Sequence, residues 1–254
     1  MTGKLAVIGL GPGDARYLIP QAANALAAAD ALYGYGPYLD RAPERPGQSR
    51  HPSDNREEGA RAAAALRHAA QGANVAVLSG GDPGVFAMAA AVCEQIESGP
   101  AAWRELDVEF VPGITAMLAV AARIGAPLGH DFCALSLSDN LKPWELVERR
   151  LDAAASAGFV IALYNPVSKA RPWQIGRAFE RLGTHLPKAT PVVFGRAVGR
   201  ADECVTITTL GEAAAASADM ATLIIVGSCE TRVIARPGLP SLVYTPRAAA
   251  TVSA

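Results

Sequence analysis

The feature that most constrains the fold of this chain is a repeated alternation of short apolar runs with alanine-rich helical segments. The run Leu5–Leu10 precedes a helical pattern over Leu18–Ala29, and the runs Ala31–Tyr35 and Val75–Ser79 continue the alternation. Short, continuous apolar runs are typical of strands that are buried on both faces, as in parallel sheets. The first half therefore predicts an α/β fold, with a mostly parallel sheet covered by helices on both faces.

Other segments of the first half fit the same alternation. The helical segments are Arg56–Gln71, Val85–Glu97 and Ile114–Ile124, and a further strand is predicted over Val108–Val111. The segment Ala42–Asn55 is rich in proline, glycine and arginine, which predicts an exposed loop.

The sequence Gly125–Gly129 interrupts the alternation, which then starts again. Five strands are predicted after it: Phe132–Leu137, Phe159–Tyr164, Pro191–Phe194, Cys204–Thr208 and Thr222–Val226. Helices are predicted over Trp144–Ala155, Trp173–Leu182 and Leu210–Ala216. The 254 residues are therefore interpreted as two α/β lobes, residues 1–112 and residues 113–254, with mostly parallel or mixed sheets. A single (β/α)₈ barrel of this length is the structural alternative.

Charge and cysteine content exclude several classes of protein. The chain has 23 basic and 24 acidic residues, and this near-neutral balance argues against a nucleic-acid partner. Its cysteines and histidines lack metal-ligand spacing, so no metal site is expected. No apolar stretch is long enough to cross a membrane, and scattered cysteines are typical of reduced thiols. We therefore expect a cytoplasmic protein with no membrane partner.

Three glycine-containing turns follow strands of the first predicted sheet. They are Gly9–Asp14, Ser79–Gly84 and Val111–Ala116. The first is not a dinucleotide fingerprint, because that pattern requires glycine where this chain has Asp14. Carboxyl ends of parallel strands meet at one edge, so the turns predict a crevice for a small molecule. Asp82 lies in the second turn, where it either contacts a ligand or caps the following helix.

Polar groups also follow strands of the second half. Asn165 either binds a ligand or holds its own turn, and Arg196 either pairs with a substrate carboxylate or is solvated. The hydroxyl-rich run Ser136–Asp139 is interpreted as a ligand contact or as a helix cap. No Ser/His/Asp triad, carboxylate pair or Cys/His pair is visible, so the sequence contains no recognisable hydrolytic centre.

These segments carry a resemblance to a known family. In chain order they are Val7–Asp14, Ser79–Pro83, Val111–Ala116 and Leu163–Pro166. Through these segments the chain resembles the S-adenosylmethionine-dependent tetrapyrrole methyltransferases. The resemblance extends from Gly3 to about Arg247 of this sequence. Later segments are similar to the branch that methylates C17 of precorrin-3B in cobalamin biosynthesis, with contraction of the ring to precorrin-4. Those segments are Gly34–Leu39, Leu128–Cys133, Ser136–Glu145 and Leu163–Arg171.

The resemblance implies a fold, a co-substrate and an assembly. It implies the tetrapyrrole methylase fold, in which a cleft between two α/β lobes binds S-adenosyl-L-methionine, and it implies a homodimer. By motif position, nine residues are expected to line the co-substrate pocket: Pro12, Gly80, Gly81, Asp82, Val85, Thr115, Ala116, Asn165 and Ala197. The Arg41–Ser53 stretch departs from the family pattern, so the resemblance implies no substrate contacts for it.

Methyl transfer from a sulfonium needs mainly alignment, whereas ring contraction also needs proton transfer. The candidates for proton transfer are Asp82, Ser136, Asp139 and Lys142. The arginines Arg16, Arg56 and Arg196 are candidates for binding the carboxylates of the macrocycle.

Three alternatives stay open. One is the counterpart that acts on a cobalt-containing precorrin in the oxygen-independent route, and another is a ribosomal-RNA ribose methyltransferase. The third is a non-catalytic sensor of the adenosyl ligand.

Overall fold

The computed structural model describes residues 3–168, 171–214 and 218–248. The chain divides into two compact units, Met1–Ala116 and Met117–Ala254. Strands and helices alternate in both units, which confirms the α/β class. The functional division into domains 1–112 and 113–254 stays a prediction.

The first unit contains a five-stranded sheet in the order β3-β2-β4-β1-β5. Its strands are β1 (Lys4–Gly9), β2 (Ala31–Tyr35), β3 (Ser49–Ser53), β4 (Asn74–Ser79) and β5 (Asp107–Val111). All neighbouring pairs are parallel, as the continuous apolar runs predict. Its helices are α1 (Pro20–Ala28), α2 (Gly36–Leu39), α3 (Glu58–Ala70) and α4 (Met88–Ser98).

Helices cover both faces of this sheet. Successive residues of a strand point to opposite faces, so each strand contributes side chains to the packing on both sides. In β1, Leu5 and Val7 pack into a cluster with side chains of α3 and α4. The alternate residues Ala6 and Ile8 pack into a second cluster with α1 and α2. This arrangement confirms the prediction of helices on both faces, and it leaves the carboxyl ends of the strands as the edge where turns emerge.

The second unit contains a mixed sheet in the order β10-β9-β11-β8-β7. Its strands are β7 (Phe132–Ser136), β8 (Val160–Tyr164), β9 (Pro191–Arg196), β10 (Cys204–Thr209) and β11 (Thr222–Val226). Only the β7–β8 pair is parallel. A smaller sheet contains β6 (Gly125–Ala126), β12 (Arg232–Arg236) and β13 (Leu239–Tyr244). The helices are α5 (Ala116–Ile124), α6 (Trp144–Ser156) and α7 (Gln174–Leu182).

One glycine of β9 allows close packing in this unit. A Cβ atom at Gly195 would lie 2.3 Å from Cγ2 of Val120, a residue of α5. Carbon atoms do not approach that closely without displacement. Gly195 therefore lets α5 pack directly against β9, while α6 and α7 contribute side chains to the core around Ile161 and Leu163.

Two predicted elements are wrong. The predicted loop Ala42–Asn55 contains strand β3, which pairs in parallel with β2. The predicted helix Leu210–Ala216 is not formed over residues 210–214, which adopt turns and irregular structure, and its last two residues lie outside the described part. The strands form separate sheets and not one closed barrel. Among the described residues, no helix has the length and hydropathy needed to span a membrane.

A substitution of Leu151, a fully buried residue of α6, tests the hydrophobic core of the second unit. We expect Leu151→Ala to lower the free energy of unfolding by about 2–5 kcal/mol, because truncation leaves a cavity. Urea denaturation measures the change. The matched control is Leu118→Ala on α5, whose side chain is half exposed and whose loss should cost less than about 1 kcal/mol. Equal effects of the two substitutions would contradict the assigned core.

Candidate functional site

The three glycine turns of the first unit emerge side by side. They follow β4, β1 and β5, which are consecutive in the sheet. The backbones of Gly11 and Gly81 exchange two hydrogen bonds, of 3.1 and 2.9 Å, across the first two turns. The structure therefore confirms that these turns meet at one edge of the sheet.

The glycines of these turns allow the turns to pack on each other. A Cβ atom at Gly113 would lie 2.2 Å from the carbonyl oxygen of Gly81, and one at Gly9 would lie 2.7 Å from it. Gly81 has a different constraint, because its φ of +66° is in the left-handed region that favours glycine. The sequence predicts a ligand crevice at this edge, and the structure adds that Gly9 and Gly113 are required by backbone packing.

Asp82 joins two of the turns through both of its carboxylate oxygens. Its Oδ1 accepts the N–H of Gly84 at 2.8 Å, and its Oδ2 accepts the N–H of Gly113 at 3.0 Å. The capping interpretation is wrong, because α4 begins at Met88 and its N-cap is Ala87. Asp82 therefore fixes the second turn against the third, and its direct role toward a ligand stays a prediction.

A basic side chain that sequence reasoning left unassigned supports the first turn. Nη2 of Arg41 donates to the carbonyl oxygens of Leu10 and Gly11, at 2.8 and 2.9 Å. The ring of Tyr38 packs against the second turn: a Cβ atom at Gly80 would lie only 2.8 Å from its Cζ. No local pattern indicates these contacts, because the partners are remote in sequence.

The remaining predicted co-substrate residues of this unit lie in or beside the same turns. Pro12 is half-buried in the first turn and Val85 is half-buried after the second. Thr115 is buried in the third turn, and Ala116 begins α5. The structure therefore brings all predicted co-substrate residues of the first unit to one edge, and their role stays a prediction.

In the second unit, Ser136 and Asn165 are joined at the ends of the parallel strands β7 and β8. Nδ2 of Asn165 donates to Oγ of Ser136 at 2.9 Å, and the N–H of Ser138 donates to the same oxygen at 3.3 Å. Asn165 has a φ of 52°, a left-handed conformation that asparagine tolerates better than most residues. Its side chain therefore holds the neighbouring strand end as well as its own turn.

Asp139 lies in an ion pair and not at a helix terminus. Its Oδ1 accepts from Nη1 of Arg171 and, at 2.9 Å, from Nε2 of the buried Gln174. Helix α6 begins at Trp144 with Pro143 as its N-cap, so the capping interpretation of Ser136–Asp139 is wrong. The ion pair connects two of the four segments that carry the resemblance to the C17 branch, Ser136–Glu145 and Leu163–Arg171.

Lys142, three residues after Asp139 in the chain, is half-buried and forms no ion pair with any residue in the described ranges. Burial and, to a smaller extent, the positive charge of Arg150 hold the pKa of Lys142 below its ordinary value. A lowered pKa makes the ammonium group a better proton donor, which is the property expected of a general acid.

Arg196 forms two ion pairs within its own unit. Its Nε donates to Asp219 at 2.7 Å and its Nη1 donates to Asp202 at 2.9 Å. These hydrogen bonds raise the pKa of Arg196, with the bond to Asp219 as the largest cause. Arg196 is therefore paired with two carboxylates on a partly exposed surface, and its role toward a substrate carboxylate stays a prediction. The next residue, Ala197, is buried and has a φ of 50°.

Strained backbone coincides with the predicted pocket positions. Among the described residues other than glycine, positive φ occurs at Arg56, Phe86, Asn165 and Ala197. Asn165 and Ala197 are predicted co-substrate residues, and Phe86 directly follows a third, Val85. Non-glycine residues in this region cost of order 1–3 kcal/mol and cluster at ligand sites. The strain therefore supports these positions as functional.

The two hydrogen bonds of Asp82 make a testable contribution. We expect Asp82→Ala to lower the free energy of unfolding by about 1–3 kcal/mol, because the N–H of Gly113 loses its acceptor in a half-buried turn. Chemical denaturation followed by circular dichroism measures this. Asp14→Ala is the control, because Asp14 is exposed and accepts only a local bond from Arg16. Unchanged stability of Asp82→Ala would show that the turns do not depend on this carboxylate.

Comparison with known proteins adds independent findings. Residues 4–214 match the family model described as tetrapyrrole (corrin/porphyrin) methylases. A protein named precorrin-3B C(17)-methyltransferase from Sinorhizobium sp is 64% identical over 247 residues, 97% of each chain. The crystal structure of the methyltransferase CobJ superposes with a TM-score of 0.92 at 46% identity, covering 96% of this chain and all of that one.

A more distant structure carries a ligand. It is uroporphyrin-III C-methyl transferase from Thermus thermophilus complexed with S-adenyl homocysteine. It matches with a TM-score of 0.66 at 26% identity and covers 89% of this chain and 97% of that one. The family match over most of the chain, the close relative and the shared fold lead to one conclusion: this chain belongs to the tetrapyrrole (corrin/porphyrin) methylases.

Proposed function

We propose that this chain transfers a methyl group from S-adenosyl-L-methionine to C17 of precorrin-3B, with contraction of the macrocycle to precorrin-4, in cobalamin biosynthesis. The observation that carries the proposal is the 64% identity to a precorrin-3B C(17)-methyltransferase over 97% of both chains. The similarity to CobJ over the whole of that structure supports it.

The edge formed by the three turns suits a ligand that is bound mainly through backbone groups. Gly80 and Gly81 are half-buried, so their main chain is reached from outside. A Cβ atom at Gly81 would meet no atom nearer than 3.5 Å, in contrast to those at Gly9 and Gly113. We propose that this edge and the strained residues Asn165 and Ala197 bind the co-substrate. Bound there, S-adenosyl-L-methionine supplies an activated methyl group.

The chain's own contribution to methyl transfer is positioning. Rigid turns held by Asp82 and Arg41 fix the backbone that binds the co-substrate. Alignment of two reactants supplies about 7–11 kcal/mol of a barrier. A carbon nucleophile that attacks a sulfonium methyl group needs no enzyme nucleophile, which is consistent with the lack of a triad in the sequence.

Among the four candidates for proton transfer, the contacts favour Lys142. Asp82 and Asp139 accept hydrogen bonds from the N–H groups of Gly113 and Gln174, so both carboxylates hold neighbouring chain segments in place. Ser136 accepts two hydrogen bonds and is buried. Lys142 has no acidic partner in the described part of the chain, and its pKa is lowered by burial. We propose Lys142 as the proton donor and the other three as positioning residues.

Location and assembly are part of the proposal. Cys93, Cys133, Cys204 and Cys229 are free thiols, which supports a reducing, cytoplasmic location. The resemblance to the family implies a homodimer, and we propose that the β12–β13 hairpin takes part in it. Its exposed apolar side chains are Val233, Ile234 and Leu239.

The proposed reaction is tested with the purified protein, S-adenosyl-L-methionine and precorrin-3B. We expect a product with one added methyl group and the altered absorption spectrum of a contracted macrocycle, followed by mass spectrometry and optical spectroscopy. Faster turnover of the cobalt-loaded substrate would instead assign the chain to the oxygen-independent route. Co-substrate binding without any product would support a sensor.

Asn165 provides a test of the co-substrate site that spares the backbone. Asn165→Gly removes the side chain while the left-handed φ of 52° stays accessible. We expect about a tenfold loss of affinity for S-adenosyl-L-methionine in calorimetry, because a side chain that contacts the ligand contributes about 1–2 kcal/mol. Ala197→Gly is the matched comparison: it also keeps its φ but removes only a methyl group, so its loss of affinity should be clearly smaller than that of Asn165→Gly. Equal affinities of Asn165→Gly and the wild type would remove Asn165 from the pocket.

A further inference from the structure

The edge strand β3 of the first unit ends in a hydroxyl that is held by a buried cation. Nε of Arg61 donates to Oγ of Ser53 at 2.6 Å, and Nη2 donates to the carbonyl oxygen of Asp54 at 2.8 Å. Nη1 contacts the sulfur of Met88 at 3.2 Å. Arg61 is 5% exposed, so nearly the whole guanidinium is removed from water.

This burial is unusual because the described residues supply no counter-ion. All three acceptors of Arg61 are neutral, whereas buried charges in proteins are normally paired. Burial is the largest cause of the lowered pKa of Arg61, and it outweighs the attraction of the nearby Glu57 and Glu58. Glu57 and Glu58 are engaged elsewhere, since they accept the backbone N–H groups of Asp54 and Arg56.

The bond from Arg61 determines what Ser53 can do. A guanidinium only donates, so Oγ of Ser53 must accept, and the hydroxyl hydrogen is left to point elsewhere. The hydroxyl donates no hydrogen bond to any residue within the described ranges, and Ser53 as a residue is only half-buried. A neighbouring positive charge also makes this hydroxyl a stronger donor.

A second donor lies three residues further on. Arg56 is exposed, and its side chain has no partner among the residues that the structure describes. Its φ of 70° is a conformation that side chains rarely adopt, and the bond from its N–H to Glu58 stabilises the turn. Strain at a residue other than glycine is retained where the surrounding structure or function requires it.

A hydroxyl donor and a guanidinium at the carboxyl end of one strand fit a ligand that only accepts hydrogen bonds. We propose that Ser53 and Arg56 form a subsite for a carboxylate substituent of the macrocycle, and that Arg61 is its positioning residue. The subsite rests on the proposed function, because that function supplies a substrate with several carboxylates. It also assigns a role to the end of the Arg41–Ser53 stretch, for which the family pattern implies none.

Steady-state kinetics with precorrin-3B and S-adenosyl-L-methionine test the subsite. We expect Ser53→Ala and Arg56→Gln each to raise the KM for precorrin-3B about tenfold, the effect of one lost hydrogen bond to a charged group. We expect kcat and the calorimetric Kd for S-adenosyl-L-methionine to change by less than about twofold, and Ser53→Thr, which keeps the hydroxyl, to restore KM. Added salt should raise the wild-type KM more than that of Arg56→Gln.

Two matched controls separate the subsite from general effects on this region. Ser49→Ala removes a hydroxyl that lies on the same face of β3 as Ser53 and that already forms a hydrogen bond with His51. Arg45→Gln removes another exposed guanidinium, in the segment that precedes β3. Both should keep the wild-type KM. Arg61→Lys should raise KM in the wild-type background and have little further effect in Ser53→Ala, because Arg61 acts through that hydroxyl.

The outcomes distinguish the two proposals. Wild-type KM in Ser53→Ala and Arg56→Gln, with normal turnover by the unmodified enzyme, would overturn the subsite alone. Equal rises in KM for the control variants would also overturn it. A wild-type protein that binds S-adenosyl-L-methionine but converts neither metal-free nor cobalt-loaded precorrin would overturn the proposed function, and the subsite would fall with it.

Discussion

The reciprocal hydrogen bonds between the backbones of Gly11 and Gly81 are the contact on which the candidate site of the first unit depends. Parallel strands bring their carboxyl ends to one edge, but they do not by themselves fix the turns that follow. The Gly11–Gly81 pair aligns the first turn with the second, and Asp82 ties the second to the third through Gly113. A rigid row of backbone groups results, which is what alignment of a reactive co-substrate requires.

The arrangement of these turns could be predicted because it follows from local patterns. Continuous apolar runs indicate buried parallel strands, and the adjacency of β4, β1 and β5 then brings their turns together. Strand β3 could not be predicted in the same way, since it contains Pro52 and the other four of its five residues are polar. It is an edge strand, where proline is tolerated and only one neighbour must be paired.

Side-chain roles were harder to predict, because their partners are distant in sequence. Asp82 fits the local pattern of a helix cap, yet its second oxygen binds a backbone group 31 residues away. Arg41 donates to carbonyl oxygens 31 and 30 residues away, in the first glycine-containing turn. Arg196 was a substrate candidate, and its carboxylate partners became visible only in the fold. Such contacts depend on tertiary structure and leave no spacing signal.

The arginines of the first unit explain why net charge is a poor guide to anion binding here. Arg41, Arg50 and Arg61 donate to backbone carbonyl oxygens within the unit, so these charges are used to hold chain segments together. A count of 23 basic against 24 acidic residues includes these internal cations and therefore misrepresents the charge that a ligand meets. The proposed substrate carries several carboxylates, and under that proposal a few exposed donors at strand ends would bind them. A near-neutral composition is compatible with such a substrate, because the ligand meets local donors and not the net charge.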